Sequence, residues 1–323
     1  MKRIRTGIVV GSVMCASMAF ANYDRTDAVL AMADRLEAQG VDRAFVLDVM
    51  AQANKLDSVL NAMRRPAERK AWRDYRPIFL KPERVEAAKG FYATHRETLE
   101  RAESTYGVSI PVILAIIGVE TYYGRNKGSF RVVDALATLA FDYPPRSAFF
   151  LRELEQLFLL SREETLDPAA LKGSYAGAMG FGQFIPSSYR AYAVDFDKDG
   201  SRDLIGNPVD AIGSVANYLA VHGWDAAYGI AAPVQNGAPA VEKMEAAVKV
   251  ERSSAALAAL GVQGIPAEWA ALPLDVLGLQ GAAGDEYWVV TKNLYVITRY
   301  NRSPLYAMAV TQLAAEIENA LGL

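Results

Sequence analysis

Cysteine is all but absent: the one thiol in 323 residues, Cys15, lies inside an N-terminal apolar segment. A fold stapled by disulfides is therefore excluded, and the protein must hold itself together by packing. Charge of one sign is missing too. Lys+Arg 34 against Asp+Glu 37 leaves a formal net charge of -3, so no global positive field points to nucleic acid as a partner. There is no internal repeat and no low-complexity segment, and 52% of the residues are hydrophobic. The chain is neither fibrous nor disordered, and it has enough apolar content for one large or two to three modest domains.

Long apolar runs are also scarce. The run from Gly7 to Phe20 is too short to span a bilayer, but Lys2, Arg3 and Arg5 precede it and Ala19-Phe20-Ala21 follows as a small-x-small cleavage pattern. This reads as a signal peptide over residues 1–21 and an exported, periplasmic protein. Lipid anchoring at Cys15 is disfavoured, because Ser12-Val13-Met14 is a poor approach to an acylated cysteine. Cleavage after Ala21 leaves a chain with no cysteine.

The stretch that organises the rest is Ser109 to Gly124. Every residue from Ile110 to Val119 is apolar, glycine or proline, which predicts a helix buried all round. Ser109 is placed to cap it, Pro111 sits in the first turn, and Gly124 supplies a stop. Glu120 then falls in the last turn of a core helix. Desolvation and the negative end of the helix dipole both disfavour its charged form, so its pKa should rise. An acid kept protonated near neutral pH is what glycoside cleavage needs to protonate a leaving oxygen. A buried glutamate paired with an unseen arginine or tyrosine hydroxyl fits the same residues.

Before this helix, Tyr23 to Lys55 carries apolar residues at helical spacing broken by Gly40, Trp72 to Phe79 reads as an extended or loop passage because of Pro77, and Pro82 to Tyr106 reads as long helix with solvated faces. After it, Val132 to Phe141 and Ser147 to Leu160 read as amphipathic helices. Glu153 and Glu155 lie two apart, on different faces, which argues against a paired-carboxylate site there.

Ser174 to Ser188 is rich in glycine and poor in charge. It lacks the Gly-Lys-Ser/Thr ending of a phosphate loop, and Ser174 and Gln183 beside exposed backbone suit sugar hydroxyls and amides better than phosphate. Asp195-Phe-Asp197-Lys-Asp199-Gly200-Ser201-Arg-Asp203 reproduces the start of an EF-hand calcium loop, with acidic oxygens at positions one, three and five and glycine at six. Its twelfth position is Gly206, so the closing ligand has to come later, and Asp210 is the nearby acid. The calcium ligand set expected from this is Asp195, Asp197, Asp199, Ser201 and Asp210. Ala211 to Val221 reads as helix. From Ala231 to Glu286 alanine, glycine and proline rise, and short apolar runs (Ala246 to Val250, Leu272 to Leu277) suggest a small insertion with some strand content; Tyr287 to Val290 reads as a strand, and the tyrosine-rich end as helix.

Taken together, Gly118 to Arg125, Gly177 to Phe184 with Pro186 to Tyr189, the acidic loop, and Val296 to Ser303 resemble the murein lytic transglycosylase B family. The four motifs are collinear and cover most of the chain beyond the signal. The resemblance implies a mainly α fold with a lysozyme-like core: a helical N-terminal domain at 22–108, a catalytic core at 109–228, a small β-containing insertion at 229–288 and a C-terminal segment at 289–323 returning to the core. It implies non-hydrolytic cleavage of the β-1,4 bond between N-acetylmuramic acid and N-acetylglucosamine in peptidoglycan, leaving a 1,6-anhydro-muramoyl end. The family's single acid/base maps onto Glu120. Ser174, Gln183, Tyr218, Tyr300, Asn301 and Tyr306, with Tyr75, map onto residues that hold the sugar, although any one tyrosine could instead be core packing. Calcium would be structural. Glycan strands are the implied partner, with cell-wall synthesis or remodelling proteins as further candidates. Competing readings are a hydrolytic muramidase of the same fold and a non-catalytic peptidoglycan-binding protein.

Overall fold

A computed structural model describes residues 23–64, 70–241 and 249–323. The signal-peptide segment, Cys15 and most of the run from Ala246 lie outside these residues. The first helices are α1 (Asp27–Glu37), α2 (Arg43–Ala51), α3 (Asp57–Met63), α4 (Trp72–Phe79) and α5 (Pro82–Tyr106). Gly40 separates α1 from α2 with φ +84, the left-handed turn that its lack of a side chain permits.

The passage around Pro77 is not extended, as its proline suggested, but helical. Pro77 falls in the second half of an eight-residue helix, so its missing N–H removes one hydrogen bond, while Trp72 and Tyr75 are driven into the core on the same element. Burial of two aromatic rings outweighs the lost bond.

Next come α6 (Ile110–Thr121), the short β1 (Phe130–Arg131), α7 (Val132–Asp142) and α8 (Ser147–Glu163). As the unbroken apolar run predicted, α6 is buried from Ile110 to Val119, enclosed by α5 and by the two helices that close the chain's core from later sequence. Its ends differ from the expectation. Ser109 occupies the cap position without a side-chain bond, and the Ile110 N–H instead donates to Glu103 Oε1 at 2.9 Å, so a carboxylate from α5 does the capping. At the other end the helix stops at Thr121, three residues before Gly124, because Tyr122 already turns left-handed with φ 52. Glu120 keeps its place in the last turn.

Glu153 and Glu155 do point apart. Glu153 accepts the Ser187 N–H and hydroxyl at 2.9 and 2.8 Å, anchoring the start of the later helix, whereas Glu155 pairs with Arg35 at 2.6 Å. Then follow β2 (Lys172–Gly173), antiparallel to β1, α9 (Pro186–Tyr192) and α10 (Pro208–Val221), which packs on α5 and α6. The glycine-rich segment between β2 and α9 is irregular; the Phe181 N–H donates to Leu204 O at 3.0 Å and so ties it to the acidic loop.

Strands appear where the composition shifts. β3 (Ala231–Val234), α11 (Ala238–Val241), α12 (Ser254–Ala259), β4 (Asp275–Gly281) and β5 (Gly284–Val290) build an antiparallel sheet ordered β3-β5-β4 around a small core of its own, including Leu257, Val262, Trp269 and Val289. Leu272 to Leu277 is strand only from Asp275, and Val250 lies outside any strand. Finally α13 (Lys292–Tyr300) and α14 (Pro304–Leu321) bring the chain back against α6. The protein is mainly helical, and among the described residues no single helix is long and apolar enough to cross a membrane.

Candidate active site

Two helices far apart in sequence make the central contact. Ser303 caps α14 by accepting the Tyr306 N–H at 3.3 Å, and this fixes Tyr306 in the first turn. From there the buried Tyr306 hydroxyl donates to Glu120 Oε1 at 2.6 Å. Both alternatives left open by the sequence thus hold together: the acid is paired with a tyrosine hydroxyl, and it is still a strong proton binder. Burial pushes the Glu120 carboxyl up to about 7, and the Tyr306 bond, which favours the charged form, offsets only part of that. Among the described residues no second carboxylate contributes to the shift.

The other expected groove residues gather nearby in part. Tyr300 and Tyr75 both lie close enough to Tyr306 to disfavour its ionisation, alongside Glu120 itself. Tyr75 is buried and packs between Trp72 and Phe79, at centroid distances of 6.4 and 5.2 Å. Tyr300 donates to Gly182 O at 2.5 Å, and Tyr218 to Arg299 O at 2.6 Å. Their rings meet edge-on at 4.8 Å with Phe184 against both. These bonds clamp the glycine-rich segment to α10 and α13. Gln183, Tyr218, Tyr300 and Asn301 line one cavity of about 710 Å³.

Gln183 reaches it from a left-handed backbone (φ 50), and its amide N–H donates to Lys127 O and Gly180 O. Ser174 does not line the cavity. Its hydroxyl accepts the N–H groups of Ala176 and Ala178 and so shapes the loop, while Ala176 of that loop reaches the cavity. Sequence reasoning missed Arg146, Arg299 and Arg302, which share the lining with Phe149 and Phe150; among the described residues none of the three arginines has an ion-pair partner. Arg299 and Arg302 fall inside the Val296 to Ser303 motif, while Arg146 joins them from the turn before α8, far away in sequence.

The acidic loop forms a second centre. Carboxylate oxygens of Asp195, Asp197 and Asp210 converge within 4.8 Å of one another. Asp210 is fully buried at the start of α10 and accepts the N–H groups of Phe196 and Asp203 at 2.7 and 2.8 Å. Asp195 accepts from Asp199 and Gly200, and Gly200 turns with φ +97. Asp199 is outside the triad, its carboxylate accepting the Ser201 N–H at 2.9 Å. Three carboxylates this close, one of them fully buried and none with an ion-pair partner among the described residues, fit a hard cation bound through oxygen.

Comparison with known proteins agrees with this geometry. The chain is 43% identical over 288 residues to the membrane-bound lytic murein transglycosylase B of Escherichia coli, covering 86% of this chain and 79% of that one. The soluble lytic transglycosylase SltB1 of Pseudomonas aeruginosa superposes with a TM-score of 0.86 at 45% identity, covering 91% of this chain and 99% of that one. The Escherichia coli lytic transglycosylase Slt35, solved in complex with calcium, gives 0.85 at 41% identity, covering 93% and 95%. Residues 24–315 match the family described as Transglycosylase SLT domain, and with a half-buried, proton-holding acid at the end of its core helix the chain belongs to that family and is a lytic transglycosylase of lysozyme-like fold.

Proposed function

We propose that Glu120 is the single acid and base in cleavage of the β-1,4 bond between N-acetylmuramic acid and N-acetylglucosamine. The observation that carries this is the Glu120–Tyr306 pair, in which a carboxyl raised to about 7 is held at 2.6 Å from a buried hydroxyl. Protonated Glu120 donates to the glycosidic oxygen, and the bond to the anomeric carbon breaks with the electron pair leaving on that oxygen. The substrate's own N-acetyl group stabilises the positive charge that develops, in the role a second carboxylate plays elsewhere. Glu120, now ionised, takes the proton of the C6 hydroxyl as that oxygen bonds to the anomeric carbon of the same sugar. Attack from within the sugar carries the entropic advantage that water lacks, and it leaves a 1,6-anhydro end.

Gln183, Tyr218, Tyr300 and Asn301 hold the sugar in the cavity they line, with Tyr75 and Ser174 supporting its walls. The guanidiniums of Arg146, Arg299 and Arg302, which have no ion-pair partner among the described residues, suit the carboxylates of a peptide-bearing muramic acid polymer. Calcium at Asp195, Asp197 and Asp210, joined by oxygens of Asp199 and Ser201, is structural: the Phe181 to Leu204 bond passes its rigidity to the segment carrying Gln183. Export by cleavage after Ala21 would place the enzyme in the periplasm with its substrate. Mass analysis of sacculus digests tests the reaction. Anhydro-muramoyl ends support it, whereas reducing muramic ends would make the protein a hydrolytic muramidase, and Glu120→Gln protein that still releases soluble fragments would remove Glu120 from its role.

A further inference from the structure

Residues 124–128, which follow the end of α6, form a strap laid across the glycine-rich segment. Thr121, buried directly after Glu120, accepts the Gly124 N–H at 3.0 Å and donates to Phe181 O at 2.9 Å. At the other end of the strap, Gly128 lies so close to the segment that a Cβ there would stand 2.1 Å from Gly173 O. Between these two anchors Lys127 makes contacts in two directions. Its carbonyl accepts an N–H of the Gln183 side chain at 3.2 Å. Its ammonium reaches into the acidic loop, donating to Ile205 O at 2.6 Å, and lies over the Phe181 ring at 4.5 Å.

These contacts complete an unbroken run of hydrogen bonds from the carboxylate triad to the cavity. Asp210 Oδ2 accepts the Asp203 N–H at 2.8 Å, Asp203 Oδ1 accepts the Ile205 N–H at 2.8 Å, Ile205 O accepts the Lys127 ammonium, and Lys127 O accepts the Gln183 amide. At its far end the run fixes which atom of Gln183 a ligand meets. Both neighbours of the side-chain amide, Lys127 O and Gly180 O, are acceptors, so its two N–H groups are spent on them and Oε1 is left for an N–H or hydroxyl of a sugar. Lys127 has no ion-pair partner among the described residues, so its ammonium serves as a tie between two backbone segments rather than as half of a charge pair.

We propose that Lys127 is a positioning residue that couples the acidic loop to the sugar-binding cavity. A cation held by Asp195, Asp197 and Asp210 and a glycan held by Gln183 each order the same tie, so each binds more tightly when the other is present. The first ligand to fix the tie removes part of the ordering cost from the second, and the gain is equal in both directions. The inference rests on the reading of Gln183 as a residue that holds the sugar and of the acidic loop as a calcium site. It gives the cation a part in substrate affinity beyond holding the fold together, without placing it near the reacting atoms.

Calorimetry on Glu120→Gln protein measures the Kd of calcium with and without a saturating peptide-free tetrasaccharide of N-acetylglucosamine and N-acetylmuramic acid. Calcium should bind roughly fivefold to tenfold more tightly beside the sugar, and the sugar should gain the same factor when calcium is added. Lys127→Met, which keeps the stem over Phe181 and loses the ammonium, should bring that factor below about twofold, and Lys127→Arg, which keeps a donor, should restore it. Melting temperature is read on every variant, and Lys127→Ala takes the place of Lys127→Met if that protein does not fold. Equal calcium affinity with and without sugar overturns the proposal. So does a factor that loss of the ammonium leaves unchanged, because a lysine that only stabilised the loop would weaken calcium to the same extent in both titrations. Absence of sugar binding at every calcium concentration would defeat the reading of the Gln183 cavity itself, whereas binding that calcium does not alter defeats the coupling alone.

Discussion

Glu120 should cost the protein stability at the pH where it works. Its proton affinity rises from an ordinary value of 4.5 to about 7 in the fold, chiefly through burial, and a difference of that size corresponds to about 3 kcal/mol. Between pH 4.5 and 7 the native protein holds a proton that the unfolded chain has released, so stability falls as pH rises through this window. Below it the penalty is absent; above it the penalty is complete. Glu120→Gln keeps an oxygen to accept the Tyr306 hydroxyl but has no charge to desolvate. The substituted protein should therefore match the parent at pH 4 and exceed it at pH 8 by up to about 3 kcal/mol, or roughly 6 °C in melting temperature for a chain of this length. Calorimetric melts of both proteins from pH 4 to 9 measure this difference, with activity lost throughout. Parallel curves, or a gap that closes as pH rises, would refute the claim that burial governs this acid.

Other outcomes follow from the same geometry. Activity of the unmodified enzyme should fall above about pH 7 as Glu120 loses its proton, and Tyr306→Phe, which removes a bond favouring the charged form, should move that limb of the kcat profile upward while lowering kcat roughly tenfold to a hundredfold; an unmoved limb would separate Tyr306 from the acid. Chelation should lower the melting temperature, by about 2.7 kcal/mol of lost stability if the ion was present at a hundred times its Kd, and Asp210→Asn should abolish the response to chelator. Gly180→Ala places a Cβ 2.1 Å from Leu204 O at a backbone with φ +74, so it should destabilise the protein by roughly 2 kcal/mol or more and weaken sugar binding through Gln183; a wild-type melting curve would show that the loop is not clamped there.

How much of this was legible in the chain depends on how local the cause was. The burial of α6 and the position of Glu120 in its last turn follow from ten consecutive apolar, glycine or proline residues. Likewise, Asp210 could be named as the late acid of the calcium loop because aspartates at 195 and 197 leave few other acids within reach of the chain. Tyr306 was reachable only through family resemblance, because its partner is 186 residues away. Failures came where tertiary contacts overrode a local rule. Pro77 argued for a loop, but two buried aromatics made a helix; Ser109 was the natural cap, but Glu103 from a packed neighbour took the bond. Of the three arginines of the cavity, Arg299 and Arg302 lay inside a recognised motif without being singled out, and only Arg146 had no local signal.

The same distinction explains why the acid is tuned by a distant helix. A helix terminus and an apolar run can desolvate Glu120 by themselves, and both are encoded within a dozen residues. Desolvation alone would yield a carboxyl too reluctant to release its proton or to serve afterwards as a base. The offsetting bond comes from Tyr306, which reaches Glu120 only when α14 has closed over α6 and Ser303 has fixed its first turn. Sequence between them holds the cavity walls and the acidic loop, so the proton affinity suited to catalysis exists only once the sugar-binding groove is assembled. Variants that loosen α14 without touching the groove, such as Ser303→Ala, should therefore alter the pH profile as well as stability; a loss of stability at an unchanged pH profile would show that Tyr306 is held by packing alone.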